Sequence, residues 1–234
     1  MNPEIIGKAF PVLQVNLEPG EEVISTHGSF SWMSNNLQIS ATAGLSGGLG
    51  KIAKRVLGGG GLMMTKYSAP DREPAMVAFA AKVPGHIVET EITPNHSVLV
   101  YRHGWLCATR EVSPSVGFQH SVMGGLFGGN GFVLEKLEGQ GRAWVELAGE
   151  VQRYDLAPGE QLLVHPGHIG MFESTVSYRI GMMPGLGNRF FGGNGFFNVT
   201  LTGPGAIWLQ SMPTIILAEA LAPYLLAQQN GRQS

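Results

Sequence analysis

Apolar and polar residues alternate over Val12–Leu17 and nearly alternate over Val151–Leu156, and a Pro-Gly pair follows each run. A period of two bounded by turn residues predicts half-buried β-strands. Asn130-Gly131 and Asn194-Gly195 lie between apolar stretches and predict two-residue hairpin turns, where glycine accepts a positive φ. Gly139-Gln140-Gly141 and Gly203-Pro204-Gly205 punctuate the chain again before Trp144 and Trp208. Many short strands with glycine-rich turns point to all-β sandwiches or barrels.

The pattern recurs. Residues 127–146 laid over 191–210 without gaps, at an offset of 64, give 10 identities in 20 positions. The stretch 85–94 lies over 149–158 at the same offset, and Val98-Leu99-Val100 lies over Leu162-Leu163-Val164. A more diverged copy precedes both: Leu17-Glu18-Pro19-Gly20-Glu21 matches Leu156-Ala157-Pro158-Gly159-Glu160. The chain therefore reads as a single β domain over 1–212, made of three units at about 11–84, 85–148 and 149–212. The predicted architecture is all-β, with three sandwich-like units around a pseudo-threefold axis.

Two segments break the β period. In the insertion 48–57, Leu49, Ile52, Ala53, Val56 and Leu57 share a helical face opposite Lys51, Lys54 and Arg55. With Lys66 these cations give a local charge of +4 over 23–70, which holds no acidic residue. The tail 213–234 opens on Pro213, a suitable helix start, and is apolar nearly all round over 214–227. That run is too short to span a bilayer, which takes about 20 residues.

Composition narrows the class. Glycine supplies 34 of 234 residues, about twice the usual share, and 14% of residues are charged against about 25% in an average chain. The 44% hydrophobic content excludes a disordered chain, and glycine without a triplet period excludes collagen. A net charge of −2 gives no overall field for nucleic acid. The lone Cys107 and the absence of a secretory leader lead to the expectation of a cytoplasmic protein.

The phrases at 17–22, 124–132, 156–160 and 201–210 resemble an uncharacterised bacterial family related to the altered-inheritance-of-mitochondria proteins. The resemblance covers about residues 10–213. It implies a fold similar to the tryptophan RNA-binding attenuation protein, a small β-sandwich that forms rings, and a link through mitochondrial relatives to inner-membrane organisation. It implies no reaction and no catalytic residue. The family's usual Gly-Glu-Gly-Phe is Gly-Asn-Gly-Phe here, at 129–132 and 193–196.

Candidate chemistry is sparse. The glycine clusters at 58–61, 128–131 and 192–195 could form anion-binding nests, but apolar residues follow each, where a P-loop needs Gly-Lys-Ser/Thr opening a helix. Among seven histidines, His165 and His168 form the one close pair and are the candidate metal ligands, against the plainer role of turn residues bonded to backbone. Trp105 and Cys107 are expected on one strand face with His103, the thiol serving structure rather than catalysis.

The preferred reading is a non-enzymatic, self-associating scaffold or interaction protein without a cofactor. Its partners are further copies of itself; Lys51, Lys54 and Arg55 form either the solvated face of a core-covering helix or a contact with an anionic membrane surface. The tail residues Ile215, Leu217, Leu221 and Leu225 are expected in a subunit contact. The alternatives are a small-molecule-binding or metal-dependent β-barrel enzyme and an RNA-binding ring. The scattered cations disfavour the last.

Overall fold

The computed structural model describes residues 1–26, 29–43, 63–102, 104–120, 132–182 and 197–230. The first part of the chain supplies β1 (Asn2–Ile6), β2 (Val12–Leu17), β3 (Glu22–Thr26), β4 (Trp32–Met33), β5 (Gln38–Ala43), β6 (Met63–Ser68) and β7 (Ala75–Ala80). The middle supplies β8 (Gly85–Ile92), β9 (Val98–Tyr101), β10 (Trp105–Thr109), β11 (Val112–His120), β12 (Phe132–Gly139) and β13 (Gly141–Ala148). The last part supplies β14 (Val151–Leu156), β15 (Gln161–Val164), β16 (Ile169–Glu173), β17 (Ser177–Met182), β18 (Phe197–Thr202) and β19 (Gly205–Gln210). One helix follows, α1 (Thr214–Asn230). The protein is all-β with a C-terminal helix, as the alternating pattern predicts. The inserted segment 48–57 and the Asn-Gly turns lie outside the described residues.

The strands form four antiparallel sheets, with orders β1-β2-β7-β4, β5-β6-β3-β10-β13-β8, β11-β12-β9-β16-β19-β14 and β15-β18-β17. The two six-stranded sheets have one order, each strand number advanced by six. Neither is local: β3 crosses to pair with β10, and β9 crosses to pair with β16.

Three cores lie between successive sheets. Leu13, Val15, Val77 and Phe79 of the four-stranded sheet meet Val23, Tyr67, Cys107 and Trp144 of the first six-stranded sheet. The opposite face of that sheet presents Ile24, Trp105, Ala108 and Val145 to Val98, Leu137 and Met171 of the second. The second then presents Leu99, Leu134, Phe172 and Ile207 to Val164, Val199 and Leu201 of the three-stranded sheet. Removing this apolar area from water, at about 25 cal/mol per Å², is the main force holding the stack together.

Two of the phrases that carry the family resemblance, 17–22 and 156–160, are turns. Gly20 and Gly159 both have a φ of 78°, a region that glycine enters without strain. In each turn the next residue closes the loop: Glu21 Oε2 accepts the Glu18 amide at 2.9 Å, and Glu160 Oε2 accepts the Ala157 amide at 2.8 Å. Burial works to raise the pKa of Glu21, but the Met1 ammonium and the Glu18 amide outweigh it and hold the carboxyl below its ordinary value. Gly141 and Gly205 open β13 and β19, and a Cβ there would collide with the hydroxyls of Thr109 and Thr175.

Two expectations need correction. Val12–Leu17 alternates as predicted, but Gln152, Arg153, Tyr154 and Asp155 of β14 are all exposed, because only Val151 and Leu156 at its two ends reach the cores. Trp105 and Cys107 do not share a face. The register shifts between them, so Trp105 opposes Val145 while Cys107 opposes Trp144. This bulge turns Trp105 into the second core and Cys107 into the first.

Candidate functional site

The described histidine pair sits at a single 3-10 turn, Pro166–His168, between β15 and β16. The rings of His165 and His168 stand edge to face with centroids 5.8 Å apart. His168 donates from Nδ1 to the Gln210 carbonyl at 2.8 Å. The buried Gln210 side chain ties the turn down, its Nε2 donating to the Gly167 carbonyl at 3.0 Å and its Oε1 accepting the Ala148 amide at 3.0 Å. These contacts give His168 a positioning role at the turn. Among the described residues no three His, Cys, Asp or Glu side chains converge as metal ligands.

The helix α1 leaves the sheets beside this turn. The Pro213 ring and the Ile215 side chain lie against Gly167, and the Leu217 amide donates to the Pro213 carbonyl at 3.1 Å. Ile215 and Leu217 are half-buried, whereas Ile216 and Leu221 are exposed and Tyr224 is 74% exposed. No helix among the described residues is long and apolar enough to cross a membrane.

Titratable groups elsewhere serve the fold. Cys107 is fully buried, and desolvation pushes its thiol well above the ordinary range. Glu146, near the end of β13, is buried. Its Oε1 accepts the Lys82 amide at 3.0 Å, and its Oε2 lies 3.7 Å from the Lys82 ammonium. Burial raises its pKa, and Lys82 offsets part of that rise. An open cavity of about 670 Å³ is lined by Pro94, Thr109, Glu111, Gly139, Gln140 and Gly141. Its one ionisable side chain is Glu111.

The family model for mitochondrial biogenesis AIM24 matches residues 3–212, nearly the whole β stack. The chain belongs to the AIM24 family. An uncharacterised protein of Streptococcus pyogenes serotype M6 is 26% identical over 228 residues, which make up 94% of this chain and 89% of that protein. The crystal structure of a Streptococcus pyogenes protein shares the fold. It is 21% identical, with a TM-score of 0.73 over 95% of this chain and 99% of the other.

The chain places its predicted interaction residues unevenly. Ile215 lies beside the His165–His168 turn and Leu217 and Leu221 follow it on α1, while the Leu225 side chain and Lys51, Lys54 and Arg55 lie outside the described residues. Two exposed apolar side chains escaped the sequence pattern: Trp32 on β4 is 47% exposed and Leu163 on β15 is 52% exposed. Leu163 aligns with Leu99, which is buried, so its period looks like that of a core residue. The sheet order shows that, among the described residues, β15 pairs on one side only.

Proposed function

We propose that this AIM24-family chain is a non-enzymatic, self-associating interaction protein built from three successive β units. The observation that carries the reading is α1. The helix is apolar nearly all round, with Glu219 its one charged residue, and its exposed side chains include Ile216, Leu221 and Tyr224. Covering a side chain of this size contributes about 1.5–3 kcal/mol, and exposed apolar patches of this kind mark contact surfaces. The helix carries no Lys or Arg, which favours a protein partner over an anionic lipid surface. The shared order of the two six-stranded sheets supports the division into like units.

Light scattering tests the reading on the full chain and on a chain lacking residues 214–234. The full chain is expected to be an oligomer at micromolar concentration, and the deletion to lower its mass. A monomeric full chain overturns self-association. An unchanged mass after deletion removes α1 from the contact.

A further inference from the structure

We infer that β15 of one copy pairs antiparallel with β4 of a second copy, Met33 opposite Leu163, joining their two short sheets into a third six-stranded sheet. This inference rests on the reading that the chain self-associates, and it names a contact separate from α1.

Two junctions of this kind are already made inside the chain. At the first, Cys107, Ala108 and Thr109 of β10 oppose Ser25, Ile24 and Val23 of β3. At the second, Met171, Phe172 and Glu173 of β16 oppose Val100, Leu99 and Val98 of β9. The strand numbers advance by six between them. One further advance brings β15 to the place of β3 and β9, where no strand among the described residues meets it. At the other end, β4 pairs with β7 as β10 pairs with β13 and β16 with β19, and its second side meets no strand among the described residues. Setting β15 beside β4 gives the order β17-β18-β15-β4-β7-β2, which is the order of both six-stranded sheets, with β1 added outside.

The register follows from the internal pairs. Ala78 opposes Gln14 as Trp144 opposes Glu89 and Trp208 opposes Arg153. Trp32, opposite Ala78, therefore holds the place of Cys107 and Met171, and Met33 that of Ala108 and Phe172. On the other side Val23, Val98 and Leu162 each lie four residues past Pro19, Pro94 and Pro158. Trp32 then meets Val164, and Met33 meets Leu163.

Burial agrees at each position. Ile24 and Leu99 are buried at the two internal junctions, whereas Leu163 is exposed; Cys107 and Met171 are buried, whereas Trp32 is exposed. Met33 packs against the first core and Val164 belongs to the third. Pairing would set Leu163 at the margin of a neighbour's first core and Trp32 at the margin of a neighbour's third. The polar flank agrees as well. One step further along, Arg110 Nε lies 2.9 Å from Glu22 Oε1 at the first junction, and Ser97 Oγ donates to Ser174 Oγ at 2.9 Å at the second. The open ends carry Asn35 and Gln161 there, both exposed and each able to donate and accept.

The edges belong to the first and last sheets of the stack and do not pair with each other in the chain. A second copy of the chain supplies both missing strands. Because the two edges differ, copies join head to tail, closing into a ring where the rotation permits.

The test is a full-length chain carrying Met33→Cys and Leu163→Cys, oxidised with glutathione disulfide. Cα atoms of directly opposed antiparallel residues lie about 4.5–5.5 Å apart, within disulfide reach. The expected result is a reducible ladder of intermolecular bands for the double variant. Mixing the two single variants should give a cross-linked heterodimer, and neither single variant alone should cross-link. Cys107 is buried and stays out of the exchange. Leu163→Lys, at an exposed site, is expected to lower the mass by light scattering with an unchanged far-ultraviolet dichroism spectrum. A wild-type monomer overturns self-association, and this contact with it. An oligomer that yields no ladder and ignores Leu163→Lys overturns the edge pairing alone. A disulfide formed within one chain, without a ladder, assigns the edges to intramolecular closure instead.

Discussion

Trp144 and Trp208 hold the same place in the two six-stranded sheets, each opposite a register shift in the neighbouring strand. Their surroundings differ. Trp144 is fully buried, donates from Nε1 to Glu89 Oε2 at 3.0 Å, and has the Arg142 guanidinium 5.4 Å from its ring centroid. Trp208 is half-buried, with Arg153 from the facing strand at 5.3 Å. Both keep a cation over the ring, so the cation does not set the burial. The covering layer does: the four-stranded sheet closes over Trp144 in the first core, while Trp208 sits at the margin of the second. One backbone site thus yields a core anchor in one sheet and a boundary residue in the next.

The largest expected effect breaks that pair apart. Trp144→Ala should cost about 3–5 kcal/mol, the range for deleting a large buried aromatic, and Trp208→Ala about half as much. Urea denaturation of the two variants measures the gap, and equal losses would contradict the role given to the covering sheet.

The residues two positions further along sharpen the comparison. Glu146 and Gln210 each accept the amide of the chain entering the next segment, from Lys82 and Ala148 respectively. Gln210→Ala should cost about 1–3 kcal/mol by stranding buried amide groups, whereas Glu146→Gln keeps its acceptor. The carboxylate also adds a pH dependence. Burial raises the folded pKa of Glu146 above its ordinary value of 4.5, with Lys82 opposing the rise, so the folded state favours the proton. Its contribution is fully favourable at pH values below 4.5 and is lost as pH rises through the folded pKa. Glu146→Gln should flatten that part of the profile, read from urea midpoints at acid and neutral pH.

The smallest effect concerns the ion pair at the first junction. Arg110 is mostly exposed, and Glu22 keeps Lys66 at 2.9 Å when Arg110 is removed. Arg110→Ala should therefore change stability by about 0–1 kcal/mol. A larger loss in thermal unfolding would show that charge, rather than backbone pairing, holds the first junction together.

The sequence made local structure legible and left strand partnership hidden. Val12–Leu17 declared its buried face through alternation, and the Pro-Gly phrases marked turns whose glycines do take positive φ. Pro213 marked the start of α1 to within one residue. The bulge between Trp105 and Cys107 was not legible, because an inserted residue changes the facing of side chains without altering composition. Nor was the crossing of β3 to β10, since antiparallel partners far apart in sequence carry no spacing rule. The candidate surface divided in the same way. The apolar tail was visible in the residues, whereas nothing in the sequence set Trp32 and Leu163 apart from other apolar positions before the sheet order placed both on edges.

The bulge in β10 has a chemical consequence. By turning Cys107 inward against Trp144, it places the chain's single thiol among the first core's side chains, where ionisation is strongly disfavoured. A disulfide reagent in the surrounding buffer then meets a reactive thiolate only after that core has opened. Labelling of Cys107 becomes a clock for the opening of the first core, read in an unmodified chain without any added probe.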